Sequence, residues 1–258
     1  METVNTDILI EILSHLPQND KIQSTKVCKT WCDVNKYIYQ KQPIEIVFNK
    51  IDVNQFNMWS EKNSNLTFNI LYDGDLVDLV NKINVKKVVE LNVTGNGYTT
   101  LPSELALFEN LKVLHLGRNK LQTIPDCVYE LKNLTHLYIH CNRLVTISPK
   151  ISQLKNLQLL EIDGNELQGL PESISELKNL KKMILSGNNI NSLPNSIGQM
   201  DNLEYIDLIM NDVSYLPDTI LNMKKLQTIR LNLNPIQRLS KQFRNIVKVS
   251  RHENIDYY

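Results

Sequence analysis

Residues 157–179 read LQLLEIDGNELQGLPESISELKN, and this stretch decides the fold. Leu160 and Ile162 are two apart, the period of a short strand with one buried face. Asn165 follows where that strand should end. Pro171, with its fixed φ, opens a short helical turn. Ile174 and Leu177, three apart, point that turn back at the same core. The opening residue recurs as Val88, Leu111, Leu134, Leu180, Leu203 and Leu226, a step of 23 residues without an insertion. A fixed period of this length predicts a solenoid in which each unit supplies one strand, one bend and one convex turn.

The asparagine recurs as Asn96, Asn119, Asn142, Asn188, Asn211 and Asn234. A carboxamide both donates and accepts, so a column of them can satisfy backbone groups where each coil leaves the sheet. Left unpaired in an apolar spine, each would cost roughly 1–3 kcal/mol. One unit buries too little apolar surface to offset its own ordering, so stability requires stacking. The expected fold class is α/β: a solenoid with a parallel sheet on its concave side. These residues resemble the leucine-rich repeat family in its 23-residue intracellular class, similar to the repeats of Ras-pathway scaffold proteins. Seven units are expected over 88–248. Ser148 (before Pro149) and Ser240 replace the proline, so those two turns are expected to differ slightly. Upstream, Ile46-Val47-Phe48 and Phe68-Asn69-Ile70 read as strands, while Val53–Trp59 and Asp75–Ile83 have helical spacing. Residues 41–87 are thus expected to form irregular N-terminal capping repeats, giving nine parallel strands. Residues 249–258 are expected to be a polar C-terminal cap or tail.

Composition narrows the function. Of 258 residues, 42% are hydrophobic and 22% charged, ordinary for a globular protein. Lys+Arg and Asp+Glu number 28 each, and a formal net charge of zero argues against nucleic-acid or anionic-membrane binding. No apolar run approaches the ~18–20 residues that cross a bilayer. The first residues are acidic where a secretory signal would be basic, which predicts an intracellular protein, cytoplasmic or nuclear. The richness in Asn, Ile and Lys fits AT-rich genomes such as those of some amoebae or large DNA viruses, and a viral chain would work in its host's cell. Cys28 and Cys32 share a helix face, but no second close Cys or His pair joins them, so ordinary thiols are expected rather than a zinc site. No P-loop, dinucleotide, H-E-x-x-H or G-x-S-x-G motif occurs, so neither an enzyme nor a cofactor is expected.

Residues 1–40 lack the repeat. Asn5-Thr6-Asp7 reads as a helix start, followed by the apolar stripe Ile8, Leu9, Ile12, Leu13 and Leu16. Pro17 ends that helix, Asp20 can cap a second, and Val27-Cys28-Lys29-Thr30-Trp31 leads a third. Helices this small bury too little surface alone, and their surplus apolar side chains suit a partner's surface. The alternative is a helical cap with Trp31 packed on the first strand. The string from Glu11 through Pro17, Asp20 and Ile22 to Val27, Cys28 and Trp31 resembles the F-box, with Val4-Asn5 standing where that family has Leu-Pro. The resemblance implies a substrate-recognition subunit of a Skp-cullin-F-box type ubiquitin ligase. Ile8, Ile12, Leu16, Pro17, Val27, Cys28 and Trp31 would then face or support a Skp-type adaptor, and through it a cullin-RING ligase. Outside that complex a monomer is expected. Two other function classes remain: a signalling scaffold binding a small GTPase or phosphatase, and an enzyme using Cys127 or Cys141, which would need an activated thiol.

Strand side chains alternate, so every second one faces the concave solvent. His115, His136, Tyr138 and His140 should cluster there as a polar and aromatic recognition surface. His136 and His140 lie about 13 Å apart at ~3.3 Å per residue, too far to share an ion. No carboxylate is expected to complete a site beside His140, so no metal is expected. Ile184, Tyr205, Ile209 and Met210 should form an apolar, solvent-facing contact spot. With Glu161, Asp207 and Arg230, these are the residues expected to bind a target protein. Arg118, Cys141, Met210 and Leu233 are expected at the rim.

Overall fold

The structure, a computed structural model, describes residues 76–236 and 238–248, together with strands Ile44–Val47, Phe68–Leu71 and Asp256–Tyr257. The adaptor-facing residues expected at Ile8, Ile12, Leu16, Pro17, Val27, Cys28 and Trp31 lie outside the described residues, as does the helical spacing at Val53–Trp59. Strands β1 (Ile44–Val47), β2 (Phe68–Leu71), β3 (Val88–Asn92), β4 (Val113–His115), β5 (His136–Tyr138), β6 (Leu159–Glu161), β7 (Lys182–Ile184), β8 (Tyr205–Asp207) and β9 (Thr228–Arg230) follow one another in a single parallel sheet. β1 begins earlier than expected, at Ile44. A tenth strand, β11 (Val247–Lys248), joins β9 through Val247↔Ile229. Beyond it, β12 (Asp256–Tyr257) pairs with β10 (Arg238–Leu239), so the segment read as a polar tail contributes a strand. No helix among the described residues is long and apolar enough to cross a membrane.

The register is the sequence period made physical. Leu91, Leu114, Leu137, Leu160, Met183, Ile206 and Ile229 are cross-strand partners, each one step of the repeat from the next. All seven are fully buried, and each such side chain stabilises by roughly 1.5–3 kcal/mol. At the N-terminal end, helix α1 (Leu76–Lys82) buries Leu76, Leu79 and Val80. Ile83 continues that face at the i+7 position, and Asp78 pairs with Lys82 across the exposed turn.

Opposite the sheet, each coil makes a short helical turn that begins after a residue with φ between −56° and −71°. Pro102, Pro125, Pro171, Pro194 and Pro217 take that place directly. The two serine-led turns do not differ in backbone as expected: Ser148 has φ −62° and Ser240 φ −56°. Each hydroxyl instead accepts the N–H two residues on, from Lys150 and Gln242. Serine thus replaces proline's rigidity with a side-chain cap. The turn that does differ is Asp126–Tyr129, which is α-helical (α2) and contains Cys127 rather than following it.

The asparagine column behaves as its chemistry predicts. From Asn119 to Asn234, each Oδ1 accepts a backbone N–H of the preceding coil, as in Leu144 N–H to Asn165 at 3.0 Å. Each Nδ2 donates to a carbonyl of its own coil and one of the coil before, for Asn165 those of Ile162 and Ile139 at 3.1 Å. A second column passed unnoticed in the sequence. Asn110, Asn133, Asn156, Asn179 and Asn202 lie on the surface and donate to the carbonyl 24 residues back.

Where each coil leaves the sheet, one residue adopts a left-handed backbone. It is glycine at Gly95, Gly164 and Gly187, with φ from 62° to 78°, but Arg118, Cys141, Met210 and Leu233 elsewhere, with φ from 51° to 58°. Glycine enters this region freely. A residue with a β-carbon is strained there by roughly 1–2 kcal/mol.

Candidate functional site

The outward side chains of the sheet form three groups, each made across strands by the same register that aligns the core. The first lies on β3 to β5. His115 Nε2 stands 3.0 Å from Glu90 Oε1. The His115 imidazole stacks on its register partner Tyr138, ring centres 4.4 Å apart and planes within 2°. His136 flanks the same tyrosine with centres 6.4 Å apart, and its Nδ1 contacts Thr135 Oγ1 at 2.9 Å. Burial, chiefly, lowers the His136 pKa below the usual histidine value, Glu90 opposing and His115 reinforcing the shift. So His115, His136 and Tyr138 do come together as expected.

His140 belongs to a different group. Its Nδ1 lies 3.2 Å from Glu161 Oε1 on the next coil. Asp163 stands beside them: the donor atoms of His140, Glu161 and Asp163 all lie within 4.8 Å of one another. The expectation that no carboxylate completes a site near His140 is therefore wrong. It considered spacing along one strand, whereas partners on the adjacent strand are about 4.8 Å away. Burial first and then Asp163's charge raise the Glu161 pKa, and the two histidines, His140 and His115, partly offset them.

The third group centres on Asp207. Tyr205 donates its hydroxyl to Asp207 Oδ2 at 3.0 Å, and Arg230 Nη1 donates to the same oxygen at 3.1 Å. The backbone N–H of Ile209 is donated to Oδ1 at 3.0 Å. Asp207 was expected to face a target, but it is only 6% exposed. It is an anchor that holds Tyr205 and Arg230 rather than a contact residue. Tyr205 is correspondingly tied into a polar group instead of an apolar spot. Ile184 and Ile209 are half-buried. The exposed apolar surface lies instead at the rim, at Met210 (58% exposed) and Leu233 (65%). Tyr215, at 57%, is a further exposed apolar residue that the sequence reading missed.

Neither described cysteine fits an activated nucleophile with a basic partner. Burial pushes the Cys127 thiol up to about 11, with Asp126 and Glu104 adding to the shift, so it stays protonated at neutral pH. Cys141 is exposed at the rim, and its Sγ is the atom a β-carbon on Gly164 would meet first, at 3.3 Å.

Comparison with known proteins gives two family matches. The F-box domain family matches residues 4–35. The leucine rich repeat family matches 86–144, 132–190 and 155–213. Among solved structures, a leucine-rich-repeat protein of Leptospira interrogans is similar, with a TM-score of 0.64 and 32% identity over 71% of this chain and 47% of that one. The chain thus spans about half the length of that relative. No curated protein matches the chain.

Proposed function

We propose, from the premise that this chain is an F-box protein with C-terminal leucine-rich repeats, that it is a substrate-recognition subunit of a Skp-cullin-F-box type ubiquitin ligase. The observation that carries the reading is the F-box match at 4–35, placed ahead of a repeat array. In this reading Ile8, Ile12, Leu16, Pro17, Val27, Cys28 and Trp31 meet a Skp-type adaptor. The solvent face of the sheet receives a target protein. Chemistry stays with other subunits, and this chain contributes proximity by holding the target near the transferring centre.

Two features support the sheet face as the target surface. It presents directional, partly buried polar groups that are already oriented by one another, so few rotamers remain to be ordered on binding. His115 with Tyr138, and Arg230 held by Asp207, are residue types that dominate binding energy at protein contacts. Beside them, Met210 and Leu233 expose apolar surface on neighbouring coils.

The test is co-purification of the intact chain with a Skp-type adaptor, repeated with Pro17→Ala plus Trp31→Ala. Adaptor capture by the intact chain and its loss in the double variant are expected. Failure of the intact chain to bind the adaptor refutes the ligase reading and leaves the signalling scaffold. For the target surface, Tyr138→Ala and Arg230→Ala should each lose co-purifying target while keeping the adaptor.

A further inference from the structure

We propose that His140, Glu161 and Asp163 bind one Zn2+ ion on the solvent face of the sheet. The donors come from neighbouring coils. Their atoms all lie within 4.8 Å of one another. Three atoms so spaced share a point no more than about 2.8 Å from each. Closing by under ~1 Å brings them to the ~2.0–2.2 Å of zinc–nitrogen and zinc–carboxylate bonds.

The histidine supplies an independent indication. His140 Nδ1 is shielded from solvent and makes no hydrogen bond. It stands 3.2 Å from Glu161 Oε1, near enough for charge attraction but misaligned for donation. A buried polar atom without a partner costs free energy. A metal ion is a partner that uses the nitrogen lone pair directly.

The ring is also given room. A β-carbon on Gly117 would fall 2.4 Å from His140 Nε2, so glycine on the preceding coil is what lets the imidazole lie there. On the other side, Glu161 and Asp163 crowd two carboxylates together, and their repulsion contributes to the raised Glu161 pKa. A divalent cation would relieve that repulsion. One imidazole with two carboxylates suits zinc, whereas calcium and magnesium take oxygen ligands. Three protein ligands leave a fourth position open to solvent. The site stands whether or not the sheet face binds a target.

The experiment titrates the full-length, chelator-stripped chain with Zn2+ alone in a calorimeter, alongside thermal melts with and without zinc. One ion per chain is expected at this site. Its affinity should fall at least tenfold in His140→Ala, in Asp163→Asn and in Gly117→Ala. The glycine variant keeps all three ligands and displaces only the ring. His136→Ala and the pair Cys28→Ser plus Cys32→Ser should bind as the parent does. If His140→Ala melts poorly without zinc, the near-isosteric Asp163→Asn carries the test. No zinc bound by the intact chain overturns the proposal. So does binding unchanged in Asp163→Asn, or binding lost in the cysteine pair instead.

Discussion

Replacing Asn165 with alanine isolates what the buried asparagine column does. Its Oδ1 accepts the Leu144 N–H at 3.0 Å, and that N–H has no other printed acceptor among the described residues. The carbonyls on the other side of the amide are better provided for. Ile139 O also receives Asn142 Nδ2, and Ile162 O also receives Asn188 Nδ2. Removing Asn165 therefore orphans one buried donor but leaves both acceptors satisfied. An orphaned buried group costs about 1–3 kcal/mol, and the net loss of the amide's own bonds adds about 1. We expect a destabilisation of roughly 2–4 kcal/mol by chemical denaturation. In a chain of this size each kcal/mol lowers the melting temperature by about 2–4 °C. Asn156→Ala is the matched control. It also donates to a neighbouring coil, to Lys132 O at 2.9 Å, but from the exposed column, where water replaces it. Its cost should stay below about 1 kcal/mol. Asn165→Asp should be worse than alanine, because it aims a second acceptor at the Ile139 and Ile162 carbonyls. Equal costs for Asn165→Ala and Asn156→Ala would refute the argument from burial.

Met210→Gly removes a β-carbon from a backbone at φ 56° and should stabilise the fold by about 0.5–1 kcal/mol, read by denaturation, while weakening target capture. Gly198→Ala should destabilise by about 1–3 kcal/mol, because its β-carbon would fall 2.2 Å from the Thr219 carbonyl oxygen of the next turn, which is backbone and cannot rotate away. The His136 pKa is lowered on folding, so its contribution is present above the unfolded value near ~6.5 and is lost as pH falls through it; His136→Gln should flatten the decline in melting temperature between pH ~7 and ~5. Glu161 has the opposite sign. Its pKa is raised, so the stability tied to its protonated form is present at low pH and is lost as pH rises; Glu161→Gln should be the more stable protein at neutral pH, the advantage disappearing below about pH 4.

The repeat, the buried side of each strand and the role of the asparagine were legible because each is a periodic demand of one coil on the next. Other features were periodic yet unread. Gly95, Gly164 and Gly187 fall in one column with Arg118, Cys141, Met210 and Leu233, and the glycines alone could have marked that column as left-handed. The exposed asparagines from Asn110 to Asn202 repeat at the same interval but leave no apolar context to flag them. The cross-strand chemistry was hidden for a different reason. His140, Glu161 and Asp163 are more than 20 residues apart in part, and their meeting depends on rotamers that the register permits but does not dictate. Asp207 looked like a surface acid because alternation predicts only which way a side chain leaves the strand. It cannot say that Tyr205 and Arg230 will close over it.

The two faces of one sheet carry unequal demands. Inward, the central register column is aliphatic from Leu91 to Ile229 apart from Met183. Outward, the adjacent column reads Asn92, His115, Tyr138, Glu161, Ile184, Asp207 and Arg230, with no residue type repeated. Cross-strand pairs on such a face contribute only about 0.2–1 kcal/mol each, so the fold does not need this variety. At the rim the fold is less indifferent. It requires a left-handed residue, glycine would serve, and four coils carry something else at a cost of roughly 1–2 kcal/mol each. Strain of that kind persists where surrounding structure over-determines the backbone, and the asparagine ladder next to the rim does so. Stability therefore does not account for Met210 and Leu233. Both are exposed, both are strained, and they sit on neighbouring coils beside the Asp207 group. The side chains themselves are the remaining reason for their presence, which makes this edge of the sheet the first place to look for a bound protein.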